Sequence, residues 1–422
     1  MLARALGLLL LACAGTPTLA APVTFEQAAG EVLAAAPRLR AADAGLRAAQ
    51  AAERQASRRP NPSLEVEVEN FGGSRPYDGF DGAEITAVVE QPIEFGGKRR
   101  ARLGEARADT RLATADLAAA RRRLLADLVV AYAAAAAARE RLSVRSDQAE
   151  TARTIAAQSA RRLAAGDIPD VQNDRTQVDL GTADAALEQA RIDLDAAERA
   201  LATLWGGDRS AEAHADWLRD VGPDPASVAT RVSASDLPDA ARWAALEARG
   251  QAGIAGARAA RVPDVGVRAG VRSLRDDDAT AFVVGLSVPL PFFDGGGARV
   301  ERARQEAARA GFEVAAERSE AWRDLARALG SWQGARASLA VVDRQTLPAA
   351  ERLVALTRRG FDRGALPYRD LADALTARLG ARLQRIEALE KVQVARGEVA
   401  AFTGGFAAVG WPALESLAVG SP

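Results

Sequence analysis

Two stretches of this chain leave little choice of fold. Between Lys98 and Ala165 there is no proline and a single glycine, Gly104; between Arg299 and Gly360 the sole proline is Pro348. Alanine, leucine, arginine and glutamate fill both stretches, and all four favour a helix. About 65 residues of α-helix reach roughly 100 Å. Unless it bends back on itself, such a helix needs neighbours along its whole length, as in a coiled coil or a helical barrel. The run YAAAAAARE around Ala135 supplies small side chains for close helix packing, and aromatics make up only 5% of the chain, few for a compact core.

The long helices recur because the chain is a tandem duplication. Glycine-centred landmarks repeat in order: RRLAAG ending at Gly166 answers RRGFDRG ending at Gly364, and LATLWGG ending at Gly207 answers VAAFTGG ending at Gly405, each 198 residues apart. QPIEFGGKRR around Pro92 answers VPLPFFDGGGAR around Pro289, and RRPNPSLEVEVE around Pro62 answers RVPDVGVRAGV around Pro263. Each copy reads as a helix, two strands, a Pro/Gly corner, a very long helical region, a glycine break and a second helix. The boundaries are residues 1–20 for a leader, 21–207 for the first module, 208–235 for a connector, 236–405 for the second module and 406–422 for a tail.

The strands alternate apolar and polar residues, the period of a two-faced strand. Leu64, Val66 and Val68 alternate with Glu65, Glu67 and Glu69; Ile85, Ala87 and Val89 oppose Glu84, Thr86 and Glu90. In the second copy Val265, Val267 and Val271 alternate with Arg268 and Arg272, and Phe282, Val284, Leu286 and Val288 with Gly285 and Ser287. At about ten residues each, the strands suit a tilted crossing of a bilayer. An open four-stranded sheet would leave unpaired edges in lipid, at several kcal/mol per group. Membrane strands would therefore be pooled among copies, three copies giving twelve strands, with the glutamates, Arg268 and Arg272 lining a wet lumen. The plain alternative is a soluble β-subdomain with a polar outer face.

The N-terminus reads as a secretory signal peptide, basic over Met1 to Arg4, apolar from Ala5 to Ala14, and ending in Thr18-Leu19-Ala20. Cys13, the only cysteine, is either discarded with it or, in the lipobox-like Leu10-Leu11-Ala12-Cys13, becomes a lipidated N-terminus. Beyond the leader no apolar run reaches the ~18 residues of a membrane-spanning helix. With a formal net charge of −1, no charge excess points to nucleic acid or to an acidic membrane surface. The single histidine, His214, has no Cys or paired His beside it for zinc, and DGGGAR from Asp294 lacks the Lys-Ser/Thr of a phosphate loop. No nucleophile–base set is visible, so the chain reads as no enzyme, with no cofactor and no metal site.

The signal peptide, two tandem modules, paired strands and long helices together resemble the TolC-type outer-membrane factor family over nearly the whole mature chain. EQPIEFGGKRRAR from Glu90 and VPLPFFDGGGAR from Val288 are similar to the strand–helix corners of its branch serving cobalt–zinc–cadmium and copper–silver pumps. At these corners Pro92, Pro289 and Pro291 are expected to end the ladder, and Gly96, Gly97 and Gly295 to allow the turn into the helix. The resemblance implies a fold that is mainly α with a membrane β part. It implies a homotrimer with a twelve-stranded β-barrel in outer-membrane lipid, continued by a twelve-helix α-barrel through the periplasm. It also implies two partners, a periplasmic adaptor (a membrane fusion protein) and an inner-membrane resistance-nodulation-division pump. The expected function is a passive exit duct for heavy-metal cations. A drug-efflux or type I secretion channel shares the architecture, and a soluble periplasmic coiled-coil adaptor shares the helices but not the need for bilayer-length strands.

AAGDIPDVQNDRTQ from Ala164 and DRGALPYRDLADALT from Asp362 are similar to the family's periplasmic helix tips. Gly166 and Gly364 are the expected turn positions, with Pro169 and Pro367 opening the next helices. The resemblance implies that Asp370 and Asp373, three apart and so on one helix face, ring the periplasmic mouth. Three copies would bring six carboxylates around one axis, a ring that attracts cations. The plain alternative is a solvated helix face. In the best-known relative a tyrosine and an arginine near the second tip lock the closed state; Phe361 and Leu366 stand at the matching positions and can form no such bonds. Asp170, Asn173 and Asp174 with Arg369 are the candidates for a different lock. The first copy has no counterpart of the Asp370/Asp373 pair.

Overall fold

The computed structural model describes residues 22–75, 77–207, 211–230 and 237–419. The signal peptide and Cys13 lie outside the described residues. The fold is mainly α with a β part. In chain order the elements are α1 (Phe25–Ala35), α2 (Pro37–Ala56), β1 (Ser63–Glu69), β2 (Glu84–Ile93), α3 (Lys98–Ala164) and α4 (Asp170–Thr203). A short turn of 3₁₀ helix (Ala215–Arg219) leads to α5 (Pro225–Ala229), α6 (Ala240–Ala259), β3 (Val265–Leu274) and β4 (Ala279–Ser287). Then follow α7 (Gly297–Val341), a π turn (Val342–Thr346), α8 (Leu347–Asp362), α9 (Tyr368–Thr403) and α10 (Pro412–Val419).

The first long stretch is one uninterrupted helix of 67 residues. The second is not. The Leu347 N–H donates to Val342 O, five residues back, so a π turn separates α7 from α8. Pro348 sits in the first turn of α8 and has no N–H for the carbonyl four residues earlier; widening the turn there accommodates the ring.

The residues gather into two compact units that cut across the tandem modules. One holds the described residues of 22–34, 127–222 and 332–395, the other those of 35–126, 223–331 and 396–419, so each draws on both modules.

In the first unit Ala149 of α3 packs with Ala183 and Leu187 of α4. The alanine run Ala135–Ala138 is buried, as its small side chains anticipate. Arg153 pairs with Asp184 at 2.6 Å, and Arg382 with Asp147 at 2.8 Å, tying α3 to α4 and to α9. The connector is firmly held. The buried Tyr132 phenol donates to Val23 O (2.8 Å) and accepts from the His214 N–H (3.0 Å). Gln393 donates to the carbonyls of Trp217, Leu218 and Asp220. His214 itself is exposed.

In the second unit the helices are laced by charge. Arg242 bridges Asp116 (2.9 Å) and Glu317 (2.7 Å), and the Trp243 indole also donates to Glu317. Arg122 pairs with Asp239 at 2.7 Å, and burial lowers its pKa. The fully buried Arg396 donates to Val409 O and lies 4.2 Å from the Trp411 ring centroid, which fixes the C-terminal loop. The four strands of this unit form one antiparallel sheet in the order β1-β2-β3-β4, so hairpins from the two modules join through β2 and β3.

Candidate functional site

The register puts the predicted apolar positions of the four strands on one face, except Val288, which lies beyond the end of β4. Leu64 lies opposite Val89, Val66 opposite Ala87 and Val68 opposite Ile85. Ala87 faces Val271, which faces Phe282; Ala269 faces Val284 and Val267 faces Leu286. The face is open to its surroundings, with Phe282 89%, Val284 80% and Leu64 71% exposed. The opposite face carries the charged residues around Val88 and Val283, and Arg272 organises them. Its guanidinium meets Glu84 at 3.0 Å and Glu69 at 3.7 Å and donates to the Thr86 hydroxyl at 2.9 Å. Glu65 and Glu67 continue that face. A sheet with one apolar exposed face and one charged face, its outer strands β1 and β4 both unpaired on one side, matches a segment of a barrel wall standing between lipid and water.

The corners differ from expectation in two details. Pro92 does not end β2; it lies inside the strand opposite Gly266. The ladder to β1 stops at Glu90, so β2 is an edge on that side at Pro92 and the missing N–H leaves no acceptor unfilled. Gly96 (φ 69°) and Gly97 (φ 78°) both adopt left-handed backbone before α3, and a Cβ on Gly96 would fall 2.6 Å from the Val262 side chain. At the second corner Pro289 and Pro291 follow the end of β4, but the left-handed glycine is Gly296 (φ 72°), not Gly295. Asp294 fixes it by accepting the Gly296 N–H at 2.8 Å, while Gly295 O accepts from Arg261.

The two tips are built alike. At the end of α3, Gly166 (φ 76°) donates to Leu163 O and Asp167 to Arg162 O. At the end of α8, Gly364 (φ 71°) donates to Phe361 O and Ala365 to Gly360 O. Both are Schellman closures that satisfy the last helix carbonyls. Pro169, extended at φ −76° and ψ 155°, is the residue before α4 and not its first helical position. Pro367 likewise directly precedes α9, and its carbonyl accepts from the Asp370 N–H.

Asp370 lies in the first turn of α9 and Asp373 is exposed one turn on. Arg369 pairs with Asp373 at 3.8 Å within the same helix; among the described residues no ion pair joins it to Asp170 or Asp174. Asp170 and Asp174 are exposed at the start of α4, and Asn173 has its side-chain oxygen buried without a partner. Within one chain, then, Arg369 is tied to its own helix and not bonded to Asp170 or Asp174 among the described residues. The tie between the tips comes from elsewhere. The buried Tyr368 of α9 donates its hydroxyl to Asp179 of α4 at 2.7 Å, and burial, reinforced by the Asp179 carboxylate, pushes the phenol pKa up. Phe361 meets the Tyr368 ring edge-on at 6.1 Å, and the Arg162 guanidinium lies 5.7 Å from the Phe361 centroid. Leu366 covers Gly360 so closely that a Cβ there would fall 2.5 Å from it. Phe361 and Leu366 thus close the tip by packing. Sequence reasoning passed over Tyr368 and Asp179; the available signal was one of only three tyrosines standing at a helix start in an aromatic-poor chain.

Among the described residues no group of three or more His, Cys, Asp or Glu side chains is placed to hold a metal ion, and no helix is long and apolar enough to cross a membrane.

Comparison with known proteins bears on these features together. The profile of the family described as outer membrane efflux protein matches residues 28–207 and 235–405. The chain is 30% identical over 371 residues to the cobalt-zinc-cadmium resistance protein CzcC of Cupriavidus metallidurans, covering 88% of this chain and 87% of that protein. Among solved structures, CusC is similar with a TM-score of 0.76 at 17% identity, over 92% of each chain. The outer membrane protein VceC of Vibrio cholerae is similar with a TM-score of 0.73 at 19% identity, over 90% of this chain and 96% of that one.

Proposed function

We infer the function of this chain from the family to which it belongs, the outer membrane efflux proteins. It is an outer-membrane channel subunit of a tripartite efflux system, sited in the outer membrane and extending into the periplasm. Its relatives in the heavy-metal branch favour metal cations as the exported substrate over drugs or secreted proteins. The observation that carries the reading is the two-faced sheet. A soluble periplasmic coiled-coil protein has no use for a continuous exposed apolar face backed by a charged one.

In this reading three copies close a twelve-stranded barrel through the free edges of β1 and β4, because one copy alone leaves both edges unpaired. An inner-membrane pump drives transport through a periplasmic adaptor, and the channel itself conducts passively. Asp370 and Asp373 form the cation-attracting ring at the mouth, with Gly166 and Gly364 setting the tip turns and the Pro/Gly corners re-aiming the chain from sheet to helix.

Membrane fractionation, planar-bilayer recording and metal sensitivity test this together. The protein is expected in the outer-membrane fraction and to form discrete conductance steps. Its deletion should sensitise the host to cobalt, zinc or cadmium more than to drugs. A soluble, non-conducting protein overturns the channel. Unchanged metal tolerance beside increased drug sensitivity overturns the substrate. For the ring, Asp370→Asn with Asp373→Asn should weaken block by added divalent cations; unchanged block assigns the pair to the solvated helix face.

A further inference from the structure

A cleft of about 340 Å³ lies between α3, α4 and α9. Arg145, Arg378 and Arg382 line it, together with the carboxylates of Asp147 and Asp179. Four of these five charges are already engaged. Arg382 and Asp147 pair at 2.8 Å, Arg145 donates to the Gln148 side-chain oxygen at 2.9 Å, and Asp179 accepts from Tyr368 at 2.7 Å. Arg378 is partly buried and, among the described residues, makes no hydrogen bond and no ion pair. Burial and then the charge of Arg382 lower its pKa, with Arg358 adding to this and Asp147 and Glu351 opposing it. A guanidinium does not shed its proton in a protein, so it stays charged and can take an anion.

The lining holds three cations and two anions. Among the described residues Arg378 is the cation whose guanidinium makes no hydrogen bond or ion pair; Asp147 and Glu351 act on it only through their charge. The rest of the lining sets the apolar Val144 and Ile155 of α3 and Leu375 and Leu379 of α9 beside the hydroxyls of Thr151, Thr182 and Thr376. A single anionic group attached to an apolar body fits this surface. A carboxylate matches the planar fork of a guanidinium in two parallel hydrogen bonds. A dianion such as phosphate fits worse, because its second charge would face Asp147 and Asp179. We propose that the cleft between α3, α4 and α9 binds a monocarboxylate on a short apolar stem, with Arg378 as its counter-ion.

Hexanoate titrated calorimetrically into the full-length protein in lipid nanodiscs tests this, with hexanol and inorganic phosphate as comparators. Saturable heat is expected for hexanoate alone. Arg378→Gln should weaken hexanoate binding at least about tenfold, the smallest change expected from losing one charge-assisted pair. Arg378→Lys keeps the charge without the fork and should fall between the two. Both variants should melt with the parent protein, since the Arg378 guanidinium makes no hydrogen bond or ion pair among the described residues. No saturation by roughly 50 mM hexanoate, equal binding of hexanol, or undiminished binding by Arg378→Gln overturns the proposal. So does a loss of oligomeric mass in Arg378→Gln without hexanoate binding by the parent, which assigns the arginine to a subunit contact.

Discussion

At the second tip the hydroxyl of Tyr368 is committed to Asp179, 189 positions away in sequence, while Asp373 further along the same helix stays exposed. The phenol pKa is raised, so the bond stabilises the fold fully below the ordinary tyrosine value and loses that contribution only as pH rises through the folded one. Tyr368→Phe keeps the ring contact with Phe361 and removes the bond. It should cost about 1–2 kcal/mol, read as a lower thermal midpoint by circular dichroism. The gap between the two proteins should hold steady through neutral pH and narrow above about pH 10. The tip glycines make a separate prediction. Gly166→Ala and Gly364→Ala each force a side chain into left-handed backbone, at about 1–2 kcal/mol, and should lower the midpoint by similar amounts because the two closures are the same. The glycines were readable from the sequence, because a turn between helices asks for them locally. The Tyr368–Asp179 bond was not, because nothing local pairs residues so far apart.

Among the elements, the sheet is where the sequence pattern reached furthest. Period-two alternation sorted each strand into faces, and a register that couples Leu64 to Val89, Ala87 to Val271 and Val267 to Leu286 adds them into one continuous apolar face. Val284→Arg on that face should cost about 2–4 kcal/mol if it sits at mid-bilayer, whereas Glu67→Arg on the polar face should leave assembly intact. The yield of heat-resistant assembled protein in outer membranes measures both; equal tolerance of the two would remove the lipid-facing assignment. Gly270 shows what alternation does not reveal. A Cβ there would fall 2.1 Å from Ala87 O, so Gly270→Ala should pry β2 from β3 and reduce assembly as well. The π turn before Pro348 is similar: the proline was visible, but whether the helix would end, kink or widen depends on the neighbours that hold α7 and α8.

For the molecule as a whole, the expected mass by light scattering is three copies, since four strands with two free edges complete a barrel only with other copies; a monomer that still conducts would refute the shared barrel. The sequence by itself determined the duplication, the long helices, the two faces of each strand and the glycines of the tips. All of these are set by local sterics and by the periodicity of burial, which a linear chain records. Only the tertiary structure decided that Arg369 pairs with Asp373, that Arg272 gathers Glu69, Glu84 and Thr86, that Gly296 and not Gly295 takes the left-handed turn, and that Arg378 lines a cleft with Arg145 and Arg382. These are choices among several chemically equivalent partners. They depend on which helices and strands come within a few ångströms of each other, and composition and spacing do not encode that distance.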